Sequence, residues 1–209
     1  INAAEQFIVV RSLVNEASQT TLAYRDLVLA TGAHSRLLPN IAVNHQTIFA
    51  VNHLDEYKSF QQRLNTLKSQ KSAPVKVAII GAGLIGCEFA NDLLHSEYDV
   101  TVIDLAPQPL GRLLPSHIAS AFQQNLEEAG VKFALGTTVE KVSKINNGED
   151  YAVTLANGQT LVADIVLSAI GLQPNISLAQ SANIQTSRGV ITNSLLETNQ
   201  ADIYAIGDC

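Results

Sequence analysis

The residues Gly81-Ala82-Gly83-Leu84-Ile85-Gly86 place three glycines at the spacing GxGxxG, directly after the apolar run VKVAII at 75–80. Each glycine has a separate use in phosphate chemistry. Gly81 makes a tight turn, and Gly83 lets backbone approach a pyrophosphate. Gly86 allows the helix expected over Cys87–Ser96 to pack closely on a strand. The unpaired N–H groups and positive dipole end at the helix start favour an anion. Asp104 closes the run DVTVID about 20 residues further on, where a carboxylate accepts hydrogen bonds from two hydroxyls of an adenosine ribose. That carboxylate repels a 2′-phosphate, and Leu105 and Ala106 follow it with no arginine to receive one, so NAD(H) is expected over NADP(H). A tight turn and an ordinary strand-end acid would explain these residues singly. Their combination favours a dinucleotide.

The surrounding pattern supplies elements to hold such a site. From residue 75 the chain alternates strand, glycine turn, helix and strand, which predicts a parallel sheet with a crossover helix. A second helix is expected from Pro115 to Ala129, closed by Gly130, then a strand over Val131–Leu135. Strands near Val139–Ile145, Tyr151–Leu155 and Thr160–Val162 are separated by Asn147-Gly148 and Asn157-Gly158, the dipeptides of tight hairpins, and predict an antiparallel meander. A buried strand at Ile165–Ile170 and a turn at GLQPN (171–175) follow. Upstream, apolar runs at Phe7–Val10 and Asp26–Ala30 read as strands, with a polar turn between them. Leu54, Tyr57, Phe60, Leu64 and Leu67 recur at helical spacing. KSQKSAP at 68–74 reads as a boundary, and strands are expected near Gly189–Thr192 and Ile203–Ile206.

Composition sets the class. With 209 residues, 46% hydrophobic and 15% charged, the chain buries a substantial core, which excludes a disordered or disulfide-stapled scaffold. No apolar run approaches the roughly 18 residues of a membrane span. A net charge of −6 without a basic block argues against nucleic acid or an anionic membrane as partner. Cys87 and Cys209 form neither a CxxC pair nor a metal cluster, which fits a reducing cytoplasm. His34, His45, His53, His95 and His117 show no ligand spacing, and no metal is expected. The chain starts at Ile1 and contains no methionine, as expected of an internal fragment.

Four ordered motifs resemble the two-dinucleotide-binding flavoprotein reductases of the pyridine nucleotide-disulfide oxidoreductase superfamily. They are ATG at 30–32, GAGLIGCEFA at 81–90, AIGLQPN at 169–175 and IYAIGDC at 203–209. Within that superfamily GAGLIGCEFANDL, joined to TSRGVITNSLLET and GDC, looks most like the bacterial rubredoxin reductases of alkane hydroxylation. The resemblance implies an α/β architecture in which a Rossmann-like NAD domain with an antiparallel meander (44–170) is inserted into part of an FAD-binding domain (1–43 and 171–209). It implies FAD and NAD(H) as cofactors and rubredoxin or a related small iron–sulfur carrier as electron acceptor. The glycine fingerprint that cradles the FAD pyrophosphate and the C-terminal domain of such reductases have no counterpart in these residues, so the fragment alone is expected to be inactive.

Residue by residue, Asp208 matches the aspartate that binds the FAD ribityl chain, although an acid after a strand also caps helices. Glu88 matches an acid near flavin and nicotinamide, although a first-turn acid also suits the helix dipole. Thr31 and Gly32 match a turn passing FAD, and Gly171 matches a glycine edging the nicotinamide pocket. Leu84 stands where many disulfide reductases carry a flavin-shielding tyrosine. Cys87, inside a helix, reads as a small buried hydrophobe. The absence of a cysteine pair disfavours disulfide-reductase chemistry, and no acid, base or nucleophile is assigned. Two other activities stay open: reduction of flavorubredoxin or a ferredoxin-type carrier, and a non-catalytic NAD-binding redox-sensing module.

Overall fold

The computed structural model describes residues 1–12, 18–36, 38, 48–146 and 150–209. The chain divides into two compact units, first the paired segments Ile1–His34 and Leu172–Cys209 and second the continuous stretch Ser35–Gly171. The expected boundary near residue 43 lies outside the described residues.

In the first unit, β1 (Phe7–Arg11) and β2 (Gln19–Ala23) form an antiparallel ribbon in the register Phe7 to Ala23. The strand β3 (Leu27–Leu29) pairs in parallel with β14 (Ile203–Ala205), and β4 (Ala33–Ser35) pairs with β13 (Leu172–Pro174). A short helix α4 (Ser177–Ser181) completes a core of Leu29, Ala179, Ile184, Ile203 and Ala205. The sequence pattern missed β2, whose residues are all exposed and so carry no apolar alternation. It also read β13 as a turn. The strand expected near Gly189–Thr192 is only an isolated bridge between Thr186 and Val190, because Val190 N–H is bonded to Cys209 O instead of to a ladder partner.

The second unit is built in layers. Its parallel sheet has the order β5-β12-β6-β7-β8, from β5 (Ile48–Ala50), β6 (Lys76–Ile80), β7 (Asp99–Asp104), β8 (Lys132–Leu135) and β12 (Ile165–Ser168). Alternation of side chains along each strand assigns the two faces. Val77, Ile79, Val102, Ile165 and Leu167 pack with Phe60, Leu64, Cys87, Ala90 and Leu126 of α1 (Leu54–Gln70), α2 (Leu84–Leu94) and α3 (Ser116–Ala129). Ala78, Ile80, Ile103 and Val166 pack with Tyr151, Val153 and Leu155 of the meander β11-β10-β9, formed by Thr160–Ala163, Asp150–Leu155 and Val139–Ile145. Asn157-Gly158 makes its hairpin turn, with Gly158 at φ 85°. Asn147-Gly148 lies outside the described residues.

The helix ends follow their local chemistry. Glu56 accepts the N–H groups of Asn52 (2.7 Å) and His53 (3.0 Å), which caps the start of α1. Gly130 ends α3 in the left-handed conformation at φ 114°. The lower corner of the unit is tied by an ionic knot. Lys71, the residue that closes α1, donates to Asp150 at 2.7 Å and to Asp164 at 2.5 Å, and Asp164 also accepts the Lys76 N–H at 2.7 Å.

Candidate functional site

The bend between β6 and α2 is shaped by what its glycines exclude. A Cβ on Gly81, at φ 111°, would meet Ala169 O at 2.5 Å, and one on Gly86 would meet Gly81 O at 1.9 Å. Both positions are closed by backbone contact, and Gly86 gives the close helix-to-strand approach expected of it. Gly83 differs, since nothing lies within 4 Å of its absent side chain. Gly83 is also the N-cap of α2 and makes no side-chain capping bond. The Cys87 N–H reaches Gly83 O at 3.0 Å, leaving the amides ahead of it free to point out of the helix end. The helix opens at Leu84, earlier than the run beginning at Cys87 suggests.

These residues border an open groove of about 730 Å³, within the size range of small-molecule sites. Gly81, Gly83, Leu84, Ile85, Asp104 and Gly171 all line it. Leu84 is 64% exposed, so it serves no core. The Asp104 carboxylate is half-buried at the end of β7 and accepts the Ala82 N–H at 2.5 Å on Oδ2 and the Ala106 N–H at 2.7 Å on Oδ1. Each oxygen retains lone-pair capacity for a further donor. Sequence reasoning missed three participants of the groove. Leu110 donates its N–H to Ala82 O at 2.8 Å while holding φ 54°, and Thr138 reaches the groove from the loop after β8. Arg112 lines it too, although no arginine directly follows Asp104 in sequence. None of these has a local signature, because all three arrive through loops.

Cys87 is buried with its Sγ 3.5 Å from Ala82 O, and burial together with the Asp104 charge pushes its thiol up to about 11. It is a packing residue. Glu88 lies in the first turn and a half of α2, exposed and outside the lining of the groove.

The remaining sequence-selected residues belong to the other unit. Thr31 and Gly32 form a turn after β3, held by Asn175 through three bonds: Thr31 Oγ1 donates to Asn175 O (2.8 Å), Asn175 Nδ2 to Thr31 O (2.9 Å) and Asn175 N–H to Gly32 O (2.8 Å). The Asn175 Oδ1 contacts the His34 ring at 2.6 Å. Gly32 at φ 64° and Gly207 at φ 76° both have open space where a Cβ would lie, and Asp208 is exposed.

The family of pyridine nucleotide-disulphide oxidoreductases matches residues 1–209. The chain belongs to that family. It is 62% identical over 197 residues to a rubredoxin-NAD(+) reductase of Acinetobacter baylyi, covering 94% of this chain and 49% of that protein. It is 36% identical to a nitric oxide reductase FlRd-NAD(+) reductase of Aeromonas salmonicida, covering 91% and 47%. Among solved structures it is similar to a ferredoxin reductase from Rhodopseudomonas palustris, with a TM-score of 0.84 and 30% identity over 100% of this chain and 48% of that one. The chain thus spans about half the length of the relatives it matches.

Proposed function

We propose that this chain is the nicotinamide-binding part, with a portion of the flavin-binding part, of a flavoprotein that passes electrons from NADH through FAD to rubredoxin. The carrying observation is the Gly81–Gly86 bend: its one glycine with open space faces a groove lined by a strand-end carboxylate. The rubredoxin assignment draws on the 62% identity to a rubredoxin-NAD(+) reductase.

In this reading the amides ahead of Cys87 receive the diphosphate, and Asp104 takes the ribose hydroxyls with its remaining lone pairs. Leu84, Ile85 and Gly171 border the nicotinamide path, and Glu88, exposed on α2 outside the groove lining, is available to the flavin. The Thr31-Gly32 turn, with Gly32 and Gly207 open to a close neighbour, fits the edge of a flavin nucleotide, and the exposed Asp208 accepts ribityl hydroxyls. Bound flavin supplies the conversion of a two-electron hydride donor into single-electron delivery. The protein contributes alignment and exclusion of water, so no acid or base is required. The Ser35–Gly171 unit is the NAD-binding part, and Ile1–His34 with Leu172–Cys209 is the FAD-binding part. A cytoplasmic setting accompanies this reading, and among the described residues no helix is long and apolar enough to cross a membrane.

The test uses the full-length protein with NADH as donor and purified rubredoxin, flavorubredoxin and a ferredoxin as acceptors. Rubredoxin reduction is expected to be fastest. Equal rates with all three would remove the rubredoxin assignment, and a product without FAD or diaphorase activity would favour a redox-sensing module.

A further inference from the structure

The Asp104 carboxylate has a second occupation besides the one proposed above. Its Oδ2 receives the Ala82 N–H at 2.5 Å, and that amide belongs to the peptide joining Gly81 to Ala82. The next peptide, joining Ala82 to Gly83, has its carbonyl fixed by the Leu110 N–H at 2.8 Å. A trans peptide points its N–H opposite to its C=O, so fixing the Ala82 oxygen toward Leu110 turns the Gly83 N–H away from that residue. Two successive peptide planes are therefore set before any ligand arrives. The carboxylate is itself anchored, since Oδ1 accepts the Ala106 N–H at 2.7 Å and the Asp104 carbonyl accepts the Thr137 N–H at 3.1 Å.

The rest of the bend shows why this restraint is needed. Gly81 and Gly86 are immobilised by backbone contacts that a Cβ could not tolerate, whereas Gly83 has no neighbour within 4 Å of the corresponding point. The joint that presents amides to a phosphate is thus the one joint that packing does not hold. Hydrogen bonds to the residue just before it take that task.

We propose that Asp104 is a positioning residue for the diphosphate as well as a ligand of the ribose, acting through the Ala82 amide to preset the glycine bend. This rests on the dinucleotide reading of the groove and deepens it. The two roles differ in sign for a ligand without ribose hydroxyls. A carboxylate that acts only on the ribose contributes nothing to such a ligand, and its negative charge repels the phosphates. A carboxylate that organises the bend supports the phosphates whether or not the hydroxyls are present.

The experiment measures binding of ADP and of 2′,3′-dideoxy-ADP to the full-length protein and to its Asp104→Asn and Asp104→Ala variants by calorimetry. Both variants remove the charge; asparagine keeps one acceptor oxygen for the Ala82 and Ala106 N–H groups to share, and alanine keeps none. The dideoxy nucleotide is expected to bind D104N at least as well as the wild type, and D104A roughly tenfold more weakly than D104N, the scale of one lost hydrogen bond to a strong acceptor. Equal affinity of D104A and D104N for 2′,3′-dideoxy-ADP overturns the proposal. Failure of the wild type to bind NADH, ADP and the dideoxy nucleotide alike would instead reject the dinucleotide reading. Should D104A not fold, amide exchange of Ala82 in the wild type decides: slow exchange supports the restraint, and exchange as fast as at Gly83 overturns it.

Discussion

At the scale of single residues, the three glycines of the bend separate into two that serve packing and one that serves access. Gly86→Ala drives a methyl against Gly81 O, where a Cβ would stand at 1.9 Å, and no flexible side chain is available to yield. A loss of about 1–3 kcal/mol of stability is expected in urea unfolding, the usual cost of overpacking. Gly83→Ala meets nothing within 4 Å and keeps an ordinary φ of −79°. Its unfolding midpoint should stay near the wild type, while NADH affinity falls because the methyl occupies the approach to the amides. An unchanged affinity would place the diphosphate elsewhere. Cys87 supplies a further contrast. With its thiol pushed up to about 11, hardly any thiolate exists at neutral pH, and alkylation of the folded chain at pH 7.5 should spare Cys87 until denaturant is added.

At the scale of elements, Lys71 joins the end of α1 to the start of β10 and to the corner between β11 and β12. Lys71 and then Asn146 hold the Asp150 carboxyl down to about 2 from 3.8, and Asp150 in turn raises the Lys71 ammonium. A depressed carboxyl stabilises the fold above its unfolded value and loses that contribution as pH falls through its folded value. Lys71→Ala should therefore cost about 2 kcal/mol at pH 7, the scale of hydrogen bonds to charged groups, and the difference from wild type should shrink between pH 4 and pH 2 in urea titrations. A difference that stays constant over that window would assign the loss to packing. The elements around the bend were readable because their apolar alternation and glycine punctuation are local: β6, α2, β7 and the meander follow from the pattern, and Gly83 and Asp104 fall where it puts them. β2 was not readable because every residue in it is exposed and shows no apolar alternation, and β13 because its partner β4 lies far away in sequence. Leu110, Arg112 and Thr138 escaped because each reaches the groove through a loop with no periodic signal.

At the scale of the whole molecule, the mixed α/β architecture and the family membership were both legible, because four motifs recur in fixed order along the chain. The expected preference for NADH over NADPH belongs to this scale as well, because Asp104 and Arg112, of opposite charge, both line one groove. Steady-state kinetics of the full-length protein should favour NADH, and Arg112→Ala should widen the gap by removing the cation available to a 2′-phosphate. A narrowed gap would mean that Arg112 serves the other nucleotide. The Thr31 and Asn175 groups that lock together are 144 positions apart, and β3 waits for β14 at the far end of the chain. Ser35–Gly171, by contrast, is continuous. During synthesis Ser35–Gly171 can therefore leave the ribosome and condense while β3 still lacks β14.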